Sequence, residues 1–119
     1  MESEFENNMA ITAEGETVTE GIPPMRRTKS VTPGYFHTLE IPLLAGHDFT
    51  WADVNERRPV VIVSQNLARK IWGASSRAIG KRLRVGRAGP WNDVIGVVGD
   101  VYDSGVDQAP PATVYFRAG

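Results

Sequence analysis

The chain has 119 residues and a net charge of −1; 41% of its residues are hydrophobic and 23% are charged. This length suits one domain with a core of its own, and the balanced charge favours no class of partner. There is no cysteine, so the sequence excludes a disulfide framework and thiolate zinc sites.

No apolar run approaches the roughly 18 residues that cross a bilayer. The first ten residues, MESEFENNMA, have neither the basic nor the apolar region of a signal peptide. We therefore expect a soluble chain without a leader, and the sequence is equally compatible with a piece of a longer protein.

The first 24 residues differ in charge from the rest, since they carry six Glu and no Lys or Arg. Residues 1–8 are typical of a disordered tail, and the β-branched residues within 9–20 predict one edge strand. We therefore interpret 1–24 as a flexible acidic tail with a possible edge strand, and 25–119 as the domain proper.

Four elements are predicted between residues 25 and 59. In order, they are a strand at 26–31, a short helix at 33–39, a brief strand or extended arm at 41–46, and one helical turn after Thr50. The Thr-Pro pair at 32–33 fits an N-cap followed by the first helical position, which would turn Phe36 and Leu39 inward. Thr50 and Asp53 have the spacing of a capping box.

Five elements are predicted after residue 59. They are a strand at 60–63, a helix at 65–72, and strands at 81–85, 93–103 and 112–116. Four consecutive β-branched residues at 60–63 indicate a strand buried on both faces. The helix places its apolar residues on one side and ends at Gly73, while the alternation in 81–85 turns Leu83 and Val85 inward.

These elements predict a single α+β domain. It would have a mostly antiparallel or mixed sheet of five or six strands, packed with two or three short helices. The short connection after residue 85 predicts an antiparallel pair with the next strand.

Ser64 lies at a strand–helix corner, where hydrolases place a nucleophile. A nucleophile elbow needs small flanking residues in the pattern G-x-S-x-G, but the sequence here is IVSQN at 62–66. We therefore interpret Ser64 as the N-cap of the helix, a role worth about 1 kcal/mol.

Other candidate sites depart from their motifs. The segment 73–81 has six residues between its glycines, where a P-loop has four, and Gly96 and Gly99 lie inside a predicted strand rather than a dinucleotide-binding turn. The spacing of Asp100, Asp103 and Asp107 does not match an EF-hand loop, which favours turn-forming residues over a calcium site.

Two further sets of residues are candidate binding sites. His37, His47 and Asp48 contain ligand types suited to a metal, but lone histidines in a turn-rich stretch favour surface or capping roles. Residues 69–87 carry seven basic and no acidic residues, yet Trp72 is the one aromatic there, so a solvated face is favoured over nucleic-acid binding. We therefore predict no catalytic, cofactor-binding or metal-binding residues.

A series of short motifs resembles a known family when it is taken in order: VTPGYF (31–36), IPLLAG (41–46), DFT (48–50), VVIVS (60–64), LA (67–68), WG (72–73), IGK (79–81) and VIGVVGD (94–100). The series resembles the MacB-like periplasmic core domain of ABC transporter permeases of the FtsX/MacB type, most closely the acidobacterial type, over residues 28–116. Glu40 departs from the pattern where Gly is usual, which puts a positive-φ turn there in doubt. His47 departs from it where Arg is usual.

The resemblance implies a non-enzymatic domain on the extracytoplasmic, periplasmic side of the membrane, between transmembrane helices that this chain lacks. Its partners would be the rest of the permease and an adaptor or cargo protein, without nucleic acid or cofactor, and ATP would be hydrolysed elsewhere. The role implied is export, with transmission of motion and contact with partners. The alternative is a small hydrolase or ligand-binding domain that uses Ser64 or the group Asp100, Asp103 and Asp107.

Overall fold

The computed structural model describes residues 5–15, 25–86, 89–101 and 112–117. Within these residues there are seven strands, all in one sheet, and four short helices. The strands are β1 (Phe5–Ala13), β2 (Met25–Val31), β3 (Leu43–Gly46), β4 (Val60–Ser64), β5 (Arg82–Val85), β6 (Asn92–Val98) and β7 (Thr113–Arg117). The helices are α1 (Tyr35–Thr38), α2 (Trp51–Asn55), α3 (Gln65–Trp72) and α4 (Ser75–Ala78).

The sheet is mixed, and its pairings close on themselves. The strand order is β3-β6-β4-β7-β2-β1-β5, and β5 pairs with β6 as well as with β1. The pairs β2–β7 and β4–β6 are parallel, and the others are antiparallel. The predicted α+β class is confirmed, as is the antiparallel β5–β6 pair.

Strand direction gives the sheet two distinct ends. At one end β1, β4 and β6 begin while β2, β5 and β7 end, because Phe5 pairs with Ser30 and Val31 pairs with Arg117. We call this the Phe5–Arg117 end. The opposite end carries the last residue of β4 and the residues that follow β6, and we call it the Ser64–Asp100 end.

Strand β4 is buried on both faces, as its β-branched run predicts. Val61 and Val63 lie in a cluster with Leu67 and Ala68 of α3, on the face that also carries α4. Ile62 points to the other face, where it belongs to a cluster that contains Phe36, Phe49 and Tyr115. Strand β4 therefore contributes side chains to both hydrophobic clusters and lies between them.

Several local predictions are confirmed. Thr50 and Asp53 form a reciprocal capping box at the start of α2. Helix α3 spans 65–72 as predicted, and it ends at Gly73. Lys70 and Arg69 lie on its exposed side, whereas Leu67 and Ala68 are fully buried.

Other local predictions are wrong. Helix α1 begins at Tyr35 after a Gly34 cap position, so Thr32 is not the N-cap. Leu39 lies beyond the helix and is 52% exposed. Val85 is 42% exposed because it lies at the very end of β5. Glu40 adopts a φ of 59°, so the positive-φ turn exists although its residue is not glycine.

The strand expected within 9–20 is present at 9–13, but it is not an edge strand, and residues 5–8 belong to it rather than to a tail. Strand β1 starts at Phe5 and lies between β2 and β5, paired with both. Seven strands and four helices also exceed the five or six and two or three that were expected. The additional helix is α4, which lies between the helix predicted at 65–72 and the strand predicted at 81–85.

Candidate functional site

The strand–helix corner at Ser64 belongs to a polar cluster at the Ser64–Asp100 end. Ser64 Oγ donates to Asn66 Oδ1 at 2.7 Å and accepts from the Thr113 backbone N–H at 3.0 Å. Asp100 Oδ1 accepts from the Asn66 backbone N–H at 2.8 Å. The cluster therefore joins the end of β4, the first turn of α3, the start of β7 and the segment after β6.

This geometry corrects the role expected for Ser64. The residue occupies the N-cap position of α3, but its hydroxyl makes no capping hydrogen bond to the helix. Asp100 instead accepts the free N–H of the first turn, where a carboxylate also interacts favourably with the helix dipole. Ser64 is 1% exposed, which leaves no access to a substrate. Asp103 and Asp107 lie outside the described residues.

Two residues of the candidate metal set, His47 and Asp48, form hydrogen bonds within and around the loop before α2. Asp48 accepts from the Gly34 N–H at 3.2 Å and from the Phe49 N–H at 2.7 Å, and His47 Nδ1 lies 3.0 Å from the Asp48 carbonyl oxygen. His37 is exposed on α1. Across residues 5–15, 25–86, 89–101 and 112–117, no three His, Cys, Asp or Glu side chains are grouped to hold a metal ion.

An open groove of about 500 Å³ lies beside α1 and β3. Its lining is mainly apolar with two acidic residues: Phe36, His37, Glu40, Ile41, Pro42, Leu43 and Asp48. The Asp48 carboxylate is engaged by backbone N–H groups, whereas Glu40 and His37 are exposed.

The basic stretch 69–87 is partly neutralised within the fold. Arg82 donates to Glu14 Oε2 at 2.9 Å, and this hydrogen bond lowers the pKa of Glu14 and raises that of Arg82. Trp72 Nε1 donates to the Glu14 carbonyl oxygen at 2.9 Å. The one aromatic residue of the stretch therefore fastens α3 to the end of β1, and it is not a stacking platform.

A contact between arginine side chains and Trp91 was not predicted from the sequence. The guanidinium carbon of Arg84 lies 4.3 Å from the ring centroid of Trp91, and that of Arg82 lies 5.3 Å away. The three residues flank the β5–β6 connection. Two sequence features point to this contact. Arg82 and Arg84 alternate outward just before a turn, and Trp91 follows the turn.

Solved structures of transporter domains share this fold. The periplasmic region of MacB from Actinobacillus actinomycetemcomitans gives a TM-score of 0.71 at 17% identity, over 97% of this chain and 46% of that chain. The extracellular domain of the noncanonic ABC-type transporter YknZ from Gram-positive bacteria gives a TM-score of 0.65 at 19% identity. That match covers 95% of this chain and 51% of that chain. The fold is thus that of extracytoplasmic domains of ABC-type transporters, and this chain spans about half the length of those solved chains.

The chain belongs to the MacB-like periplasmic core domain family, whose model matches residues 4–117. It is a periplasmic domain of the MacB-like ABC transporter permease type, as the ordered motifs predicted. No curated protein matches its sequence. Among the described residues, no helix has the length and apolar character needed to cross a bilayer.

Proposed function

We propose that this domain is the non-catalytic extracytoplasmic part of an export permease, and that it carries movement from transmembrane helices to a cargo or partner protein. The observation that carries the proposal is the placement of Phe5 and Arg117 at one end of the sheet, joined through β2. In this proposal the membrane helices act on that end, where β1, β2 and β7 are joined by strand pairing, so the three strands would move together. The Ser64–Asp100 end would then move with them.

Transmission of movement needs a domain that does not deform, and the packing supports this requirement. Six strands form a closed ring of pairings in which β4 is buried on both faces. Because closely packed interiors resist compression, force applied at one end is passed to the other. The hydrogen bonds among Ser64, Asn66 and Asp100 tie the far end of this unit together.

Contact with a partner is supported by apolar surface outside the core. Leu39, Leu43 and Leu44 are each at least 43% exposed, and they lie in or beside the segment that lines the open groove. Exposed apolar groups of this kind suit protein contact, and Asp48 beside them is engaged by the backbone N–H groups of Gly34 and Phe49. The hydrolase alternative has no comparable support, because the Ser64 hydroxyl is buried and fully engaged.

Distance measurements in the full permease test the proposal. This chain has no cysteine, so spin labels are introduced at exposed His37 and Lys70 on opposite faces, with a third label in a transmembrane helix. We expect the distance from His37 to Lys70 to stay constant through the ATP cycle, while the distance from the domain to the helix changes. A domain that stays still, or one whose internal distance changes as much as the external one, contradicts the proposal.

A further inference from the structure

The β5–β6 connection carries a cationic and aromatic surface at the Phe5–Arg117 end. Leu83 pairs with Asn92, so Arg84 and Trp91 are the next cross-strand neighbours towards the turn. Side chains opposite each other on one face of an antiparallel pair are in contact distance, and the 4.3 Å separation of the Arg84 guanidinium from the indole fits that geometry. We call Arg84, Val85 and Trp91 the hairpin surface.

Arg84 differs in its pairing from Arg82, the other cation near the Trp91 ring. Its buried Nε has no hydrogen-bond partner, and the guanidinium has no ion pair within the part of the chain that is described. Arg82, by contrast, is paired with Glu14. A guanidinium held against an indole is pre-organised, and its planar fork matches the oxygen atoms of a phosphate.

Strand direction places the hairpin surface on the side of the domain where Phe5 and Arg117 lie. Strand β6 begins at that end, because its Asp93 pairs with Val60 while Val61 pairs with Phe116, and the hairpin leads into β6. Gly86, next to Val85, donates its N–H to the Ala10 carbonyl oxygen, which fixes the hairpin against β1. The hairpin therefore lies at the end on which the membrane helices act in the proposed function.

We infer that the hairpin surface rests on the anionic phospholipid surface of the membrane, with the Arg84 guanidinium binding headgroup phosphate and Trp91 lying at the interfacial level. Trp is the residue type enriched at membrane–water boundaries, and each basic residue near an anionic surface is attracted to it. Val85, which is 42% exposed, adds apolar area beside the cation. The orientation rests on the proposed function, whereas lipid binding by this surface is measured on the chain itself.

Charge complementarity favours a lipid surface over nucleic acid. The exposed Asp93 lies two positions after Trp91, so the basic area is small and does not extend along a groove that tracks a polymer backbone. Binding to a layer of lipid headgroups, by contrast, requires only one small, shallow surface on the protein. The expected binding is weak in isolation, and it orients the domain rather than anchoring it.

Vesicle co-sedimentation at low ionic strength tests the inference. The probes are vesicles of equal parts phosphatidylglycerol and phosphatidylcholine, and vesicles of phosphatidylcholine alone. We expect the chain to sediment with the anionic vesicles only. Arg84→Gln should weaken this binding about fivefold, the effect of one interfacial basic residue, and Arg84→Lys should give an intermediate value because it keeps the charge without the fork.

Lys70→Gln is the matched control, because it also removes one exposed cation, but from α3 rather than from the hairpin surface. This substitution should change vesicle binding less than twofold. Thermal unfolding of each variant confirms that it is folded. Equal loss in the control, binding to both vesicles alike, or binding to neither overturns the inference. Displacement by soluble glycerol phosphate, or Arg84-dependent binding to duplex DNA without vesicle binding, also overturns it. Vesicle binding by a domain that does not move in the permease contradicts the proposed function alone.

Discussion

Asp100, two residues beyond β6, accepts a hydrogen bond at 2.8 Å from the backbone N–H of Asn66 in the first turn of α3. The carboxylate satisfies a helix N–H that Ser64 leaves free, and it joins two elements 34 positions apart. We expect Asp100→Ala to lower the free energy of unfolding by about 1–2 kcal/mol, measured by urea denaturation. Asp93→Asn, at the other end of β6, is the control and should change it by under about 0.5 kcal/mol.

Ser64→Ala tests the structural role of the buried hydroxyl. The substitution removes the oxygen that accepts the hydrogen bond from the Thr113 N–H, and removing one partner of a buried hydrogen bond costs about 1–3 kcal/mol. Urea denaturation should show this loss, and an export assay on the full permease should show no change beyond that caused by reduced folding. A folded and equally stable Ser64→Ala domain whose permease had lost its activity would point to chemistry at Ser64 and sink the interpretation.

The central elements were predictable because their signals are local and strong. Four β-branched residues in a row identify β4, the apolar spacing identifies α3, and the Thr50–Asp53 pair identifies the start of α2. The ordered motifs gave the family. Each of these signals is contained in a short segment, so no knowledge of the tertiary contacts is needed.

The other features depend on contacts between distant segments. Residues 5–8 are polar enough to suggest a tail, yet β1 is held between β2 and β5. The capping role of Asp100 requires that β6 end beside α3, and the Arg84–Trp91 contact requires the β5–β6 register. Spacing along the chain does not contain this information, since it arises only when the sheet closes.

Glu40 provides a test of backbone strain. Its φ of 59° lies in the left-handed region, which costs a residue with a Cβ about 1–2 kcal/mol, whereas glycine loses more conformational entropy on folding. We expect Glu40→Gly to raise the free energy of unfolding by about 0.5–1 kcal/mol. Glu40→Ala is the control, because it removes the carboxylate and keeps the strain. A gain of the same size in Glu40→Ala would assign the effect to charge.

Gly46 and Gly34 form a matched pair, because both have positive φ but differ in the space around them. A Cβ at Gly46 would clash with the Ile95 carbonyl oxygen and lie 2.9 Å from Gly96 Cα. At Gly34 a Cβ would have no atom within 4 Å. We expect Gly34→Ala to cost about 1–2 kcal/mol and Gly46→Ala to cost more than about 3 kcal/mol, measured by chemical denaturation. Equal costs would show that β3 shifts away from β6 without penalty.

The Glu14–Arg82 pair makes a small part of the stability depend on pH. The hydrogen bond from Arg82 lowers the pKa of Glu14 below its ordinary value of 4.5. Stabilisation by the ionised carboxylate is therefore complete above the unfolded-state pKa, and it disappears as the pH falls through the lower folded-state pKa. We expect the melting temperature of the natural chain to exceed that of Glu14→Gln at pH 6, with the difference shrinking as the pH falls below the unfolded-state pKa. Because the pair is exposed, high salt should shrink the difference at pH 6. A difference that grows on acidification would mean that Glu14 is stabilised in its protonated form.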